Sequence, residues 1–236
     1  MGAKEDMGRA VLAGNPPVEI TLRRSARARR VALRVSGLDG RVTLSLPRGM
    51  DPAEALAFAE EKSDWIRSHL ARQGTAQPVA LGARIPLRGQ EVTISPGTVR
   101  KAELVDDRLI VPQAPTMVAS RVKAFLRLEA RANLATACAR YSAALGRDYR
   151  RITLRDTRSR WGSCSSRGDL MFSWRLVMSP PDVLDYVAAH EVAHLVEMNH
   201  SPAYWSVVAR LCPDYAAPRA WLRSNGQKLH QYRFDD

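Results

Sequence analysis

The residues best suited to chemistry in this chain are His190-Glu191-Val192-Ala193-His194, with His200 six positions further on. Residues four apart on an α-helix share a face about 6 Å from each other, so both imidazoles can address one zinc ion. Glu191, between them, would flank a water on that ion and accept its proton. The chain has five histidines in 236 residues and three of them fall between positions 190 and 200, a concentration that favours a metal site.

A helix must present this pair. Ser179-Pro180-Pro181-Asp182 reads as an N-cap serine, prolines where no backbone N–H is needed and a carboxylate that completes a capping box, so a helix should begin near Pro180. Val183, Leu184, Val187, Ala188, Val192, Leu195 and Val196 cover most of its circumference, which marks it as largely buried. Buried histidines and a buried glutamate are costly unless satisfied, and a divalent cation satisfies them.

Asn199 tolerates the left-handed conformation that ends helices, so a stop near it lets His200 turn back toward the metal as the third ligand. Glu197 is the last glutamate and lies too far along the same helix, which leaves Asp214 as the carboxylate alternative. Three protein ligands leave a fourth position for water, the catalytic rather than the structural arrangement. Glu191 would act as general base and pass its proton to a leaving amine, with Tyr204, Arg160 or Arg175 steadying the oxyanion.

The run from Arg158 through Trp161-Gly162-Ser163-Cys164 to Ser166, then Leu170 to Leu176, Asp185-Tyr186-Val187, His190-Glu191 and Asn199-His200-Ser201 with Trp205 resembles the YgjP-like zinc metallopeptidases, relatives of the SprT-like and WLM zincins. The likeness is closest from about Arg150 to Trp221 and continues through Arg24–Arg30, Pro47-Arg48-Gly49 and Asp64-Trp65-Ile66. It implies one zinc per chain on His190, His194 and His200, Glu191 as general base, and a peptide or protein substrate. It names no particular substrate.

The balance of charge is basic, +12 with a pI near 10.3. Arg23, Arg24, Arg27, Arg29 and Arg30 form the densest cluster, which reads either as a solvated strand edge or as a weak site for nucleic acid or nucleotide. Two alternative functions follow: a zinc-dependent nucleotide phosphohydrolase, and a DNA-associated protease of the SprT-like type. The opening residues are polar, and Ala10–Ala13 is too short for a signal core or a membrane span. Cys138, Cys164 and Cys212 are an odd number at unrelated spacings, which points to a reducing cytoplasm and no membrane.

The pattern along the chain predicts an α+β fold: a zincin-like metallopeptidase core over 116–236, with backing helix, small antiparallel sheet and active-site helix, after a β-rich region over 1–115. Residues 1–16 read as a loose tail. Strands are expected at Val18–Leu22, Val31–Val35 and Gly40–Leu46 after an Asp39-Gly40 turn, and one helix over about 51–73. Short strands follow at Val79–Leu87, Glu91–Ile94, Leu104–Val105 and Leu109–Val111. A long helix, Met117–Leu145, should turn Val118, Val122, Phe125, Leu128, Leu134 and Tyr141 inward and stop at Gly146. Arg151–Arg155 and Leu170–Leu176 read as the arms of a hairpin whose edge could hold an extended peptide. Trp161, Trp174, Trp205 and Trp221 read as core or cleft walls, His69 and His230 as surface or singly bonded, and Cys164 as no nucleophile.

Overall fold

The computed structural model describes residues 4–36, 40–71, 76–113 and 115–234. It is a mixed α/β structure with several small sheets and, among the described residues, six α-helices. The chain divides into two compact units, residues 1–75 and 76–236. No described helix is long and apolar enough to cross a membrane.

In the first unit, β1 (Lys4–Leu12), β2 (Val18–Ser25), β3 (Ala32–Val35) and β4 (Val42–Leu46) form one sheet in the order β1-β2-β4-β3. The expected loose tail is therefore a strand. Its alternation is hidden by a bulge between Asp6 and Gly8, where the register against β2 shifts. The Asp39-Gly40 turn falls partly outside the described residues.

The expected single helix is two, α1 (Pro52–Glu61) and α2 (Ser63–Ala71), broken at Lys62 ahead of Ser63 and Asp64, residues that favour a helix start over its interior. Asp51 caps α1 by accepting the Ala53 N–H at 2.9 Å. Ile66 packs with Ile20, Val42, Leu44 and Ala59, while Trp65 stays 43 % exposed.

The arginine cluster does not lie along a sheet edge. Arg23 and Arg24 sit on β2, which has β1 on one side and β4 on the other. The Arg24 guanidinium is engaged by the Met7 sulfur and the Met50 carbonyl at 3.3 Å. Arg27, Arg29 and Arg30 are exposed between β2 and β3.

In the second unit, β5 (Gln77–Pro78) pairs with β13 (Tyr232–Arg233) near the carboxyl end. β6 (Arg84–Leu87), β7 (Gln90–Gly97), β8 (Glu103–Val105) and β9 (Arg108–Pro112) make a sheet in the order β6-β7-β9-β8. Its apolar face, Ile85, Val92, Ile94, Leu109 and Val111, shares one core with Val122, Leu126 and Leu134 of α3 (Val118–Leu145). That shared core puts the packing boundary at residue 75, ahead of the change of sequence pattern at 115. α3 ends at Gly146 in the left-handed conformation, φ 66°, as its sequence predicts. Leu126 rather than Leu128 turns inward, and Leu128 is 67 % exposed.

The remaining elements are β10 (Arg151–Arg155), β11 (Gly162–Cys164), β12 (Asp169–Ser173), α4 (Pro181–Ala193), α5 (Pro202–Leu211) and α6 (Ala216–Asn225). The expected hairpin is not formed. β10 runs parallel to β12, and β12 pairs on its other side, antiparallel, with β11. Gly162-Ser163-Cys164 carries no apolar alternation that would mark it as a strand; its pairing comes from the backbone. β12 ends at Ser173, and Trp174–Met178 is a 3₁₀ turn with every side chain buried.

Candidate metal centre

α4 presents the histidine pair, though its ends differ from expectation. Pro180 is the N-cap and offers no side-chain bond, while the Ser179 hydroxyl donates back to the Leu176 carbonyl at 2.7 Å. The capping box is absent because the serine closes the preceding 3₁₀ turn, and two prolines leave fewer N–H groups to satisfy. Asp185, on the flank of α4, accepts from Tyr141 and Arg140 of α3 and fixes the helix against its neighbour.

The helix stops at Ala193 with His194 as C-cap, well before Asn199. The chain leaves through a turn in which Leu195, Val196 and Glu197 donate to Val192 and Ala193 carbonyls, with no left-handed residue at Asn199. Leu195 and Val196 are therefore off the helix, and Val196 is 39 % exposed. α5 then starts at Ser201, whose side chain accepts the Tyr204 N–H at 3.3 Å. This short link returns His200 to the pair.

His190, His194 and His200 each bring a ring nitrogen to one place, all within 4.8 Å of one another, a group that could hold a metal ion. His190 Nε2 and His200 Nε2 stand 3.2 Å apart. The Glu197 carbonyl is 2.9 Å from His194 Nδ1, so that nitrogen carries the hydrogen and donates, leaving Nε2 with its lone pair. Tyr186 Oη lies 3.5 Å from His190 Nδ1, a hydroxyl that can donate to or accept from that nitrogen. Tyr186, one turn before His190, could have been suspected from its spacing. Asp214 is exposed and does not join the group.

Burial, then the neighbouring His194 and His200, pushes His190 down to about 3; burial also lowers His194 against the pull of its bond to Glu197. Rings that resist protonation keep lone pairs available for a cation.

Glu191 is 5 % exposed, and burial pushes its carboxyl up to about 8, opposed by the positive charge of Arg160. Gly162 of β11 lies directly over it. A Cβ there would press on Glu191 Oε1 and stand 2.6 Å from its Cγ. Glycine in a strand signals such close backbone approach, a cue present in the sequence beside Trp161.

Two of the three expected oxyanion groups are already engaged. Tyr204 is fully buried, its ring stacked on His194 at 4.5 Å, and its hydroxyl donates to the His190 carbonyl at 2.9 Å. Arg175 is 7 % exposed and forms a two-point pair with Asp156 at 2.7 and 3.1 Å. Its remaining donor reaches the Leu229 and Tyr232 carbonyls. Arg160 is exposed and, among the described residues, is the one of the three whose side chain has no bonded partner.

Trp174 is buried and Trp205 abuts the His190 and His200 rings at 5.9 and 6.0 Å, core and wall roles respectively. His230 corrects the expectation of a surface histidine, being 4 % exposed with its ring 5.2 Å from Trp161. His69 is singly bonded, to the Trp65 carbonyl at 2.9 Å.

A helix that brings two histidines and a glutamate to a third histidine belongs with the metallohydrolases, and the class is narrowed by comparison with known families. The model of the YgjP-like metallopeptidase domain matches residues 29–225. The chain belongs to the YgjP-like metallopeptidase family. The crystal structure of the metallopeptidase zymogen of Pyrococcus abyssi abylysin is similar at 18 % identity, over 40 % of this chain and 93 % of that one, with a TM-score of 0.35. No curated protein matches.

Proposed function

We propose that the chain is a zinc-dependent peptidase in which His190, His194 and His200 hold one zinc ion and Glu191 moves the proton. The observation that carries this reading is the convergence of three ring nitrogens beside a buried glutamate on the same helix. The donor set fits zinc. Two ring nitrogens facing each other at 3.2 Å need a proton or a cation between them, and the second nitrogens of His190 and His194 have oxygen partners behind them. A zinc ion there would polarise a peptide carbonyl and lower the pKa of water to about 7.

The protein's own groups do the rest. Glu191, next to His190 on the same helix, accepts the proton of the attacking water and holds it for the leaving amine. Gly162 keeps the space over that carboxylate clear. Arg160, whose charge reaches Glu191, is the group on this reading that steadies the oxyanion.

β11 is an edge strand, in the sheet order β10-β12-β11. Trp161 and Ser165 bond toward β12, so Gly162 and Cys164 turn their N–H and C=O groups to the open side, where an extended peptide can pair. We read α3, the β10–β12 sheet and α4 as a zincin-like core, and residues 116–236 as the part that carries the catalytic groups after a β-rich region over 1–115, of which 76–115 packs in the same unit. The three free cysteines suit a reducing compartment such as the cytoplasm.

The test is a peptidase assay of protein loaded with zinc, stripped by chelator and reloaded. Cleavage that follows zinc occupancy and is lost in Glu191→Gln supports the reading; activity indifferent to both overturns it.

A further inference from the structure

Beside His194 lies a cavity of about 310 Å³ to which the reaction assigns no role. His194, Leu195, Val196 and Met198 form one side of it, and the 165–168 turn with Arg147 and Asp148 forms the other. Its distance from the reacting atoms follows from strand register. A peptide paired to the open edge of β11, with its scissile carbonyl near Gly162 over Glu191, advances roughly 3.3 Å per residue. Cys164 is the last residue of β11, and the turn that follows is the wall of the cavity. A substrate side chain about two residues from the scissile bond therefore meets it.

The chemistry of the walls selects among side chains. Arg147 and Arg167 are exposed, and neither has an ion-pair partner among the described residues. Arg150 and Arg151 nearby differ, since both pair with Asp169, at 3.8 and 2.9 Å. Among the described residues that line the cavity, Asp148 is the one carboxylate against these two arginines. Val196 and Met198, 39 % and 49 % exposed, give an apolar wall along which methylene groups can pack. Guanidinium groups match carboxylates by two parallel N–H bonds, and the short apolar wall suits a side chain with one or two methylenes before its charge.

We propose that this cavity is a substrate subsite for an acidic side chain, glutamate or aspartate, within two residues of the scissile bond; the proposal rests on the peptidase reading above. Arg147 and Arg167 determine the preference, and the post-helix turn that bears His194 ties the subsite to the metal centre.

The test uses zinc-loaded full-length protein and a peptide set in which one position at a time, on either side of the scissile bond, is Glu, Gln or Lys. At one position within two residues, the Glu peptide should be cleaved with kcat/KM about fivefold or more above the Lys peptide, with Gln between. The gap should narrow as salt rises. Arg147→Glu/Arg167→Glu should reverse the order with zinc content retained, whereas Arg84→Glu on β6, a charge reversal outside the cavity, should leave it. Fluorescence anisotropy with zinc-loaded Glu191→Gln gives a readout free of turnover, in which the Glu peptide binds more tightly than the Lys peptide. Equal cleavage of all three, or a preference indifferent to the double variant, overturns the subsite and leaves the peptidase reading standing. Failure to cleave or bind any peptide overturns both.

Discussion

Gly162 and Glu191 meet face to face, the bare backbone of an edge strand lying on the buried carboxylate, with room for a hydrogen and none for a methyl group. Gly162→Ala should therefore push Glu191 aside without touching the histidines. Turnover should fall on the order of 10²-fold, while bound zinc, measured by elemental analysis, stays near one per chain. An alanine variant with full activity would show that the carboxylate has no strict position.

Metal content provides an independent check. Purified protein should hold close to one zinc per chain, His190→Ala and His194→Ala should abolish it, and His200→Ala should weaken it by about one to two orders of magnitude. His200 is the exposed member of the trio, so its loss leaves His190 on α4 and His194 at its C-cap. Unchanged zinc affinity in His200→Ala would send the search for a third ligand elsewhere.

Glu191→Gln should separate binding from proton transfer. The amide keeps the shape and removes the base, so zinc should remain while turnover drops on the order of 10²–10⁴. Loss of zinc in this variant would make the glutamate a ligand or a support for one.

Tyr204 and Arg175 should behave as structural groups. Tyr204→Phe removes a hydroxyl bound to the His190 carbonyl, and should lower stability by about 1 kcal/mol with turnover changed less than about tenfold. Arg175→Ala strands Asp156 and two backbone carbonyls, and should cost about 3–5 kcal/mol in urea unfolding. If folded Tyr204→Phe instead lost turnover by about a hundredfold or more, the hydroxyl would return to the oxyanion role.

His230 should shape the acid limb of stability. Burial lowers it from 6.5 to about 4, so the unfolded chain takes up a proton below pH 6.5 that the folded chain refuses until about pH 4. Its contribution is present above pH 6.5 and is lost as pH falls through that window, at up to about 1.4 kcal/mol per pH unit. Unfolding midpoints of His230→Gln between pH 7 and 4 should fall less steeply than those of the wild type; identical slopes would rule the histidine out.

The histidine motif, the long α3 and its glycine stop were legible in the residues because each depends on local spacing: four residues per pair, one periodic face, one left-handed cap. The same locality explains the misreadings. β11 has no alternation of its own and exists through its pairing with β12; β1 is masked by its bulge; and β10 and β12, expected as the arms of a hairpin, are neighbours that pair parallel. Residue types named Tyr204, Arg160 and Arg175 as equal candidates, yet which guanidinium or hydroxyl is already engaged depends on carbonyls and carboxylates from distant parts of the chain. The sequence by itself determined which groups could bind a metal and take a proton. Only tertiary packing decided that Glu191 is buried beneath Gly162, that His200 returns to the pair, and that Arg147 and Arg167 line a cavity with His194, because burial and close approach are properties of segments brought together by a common core.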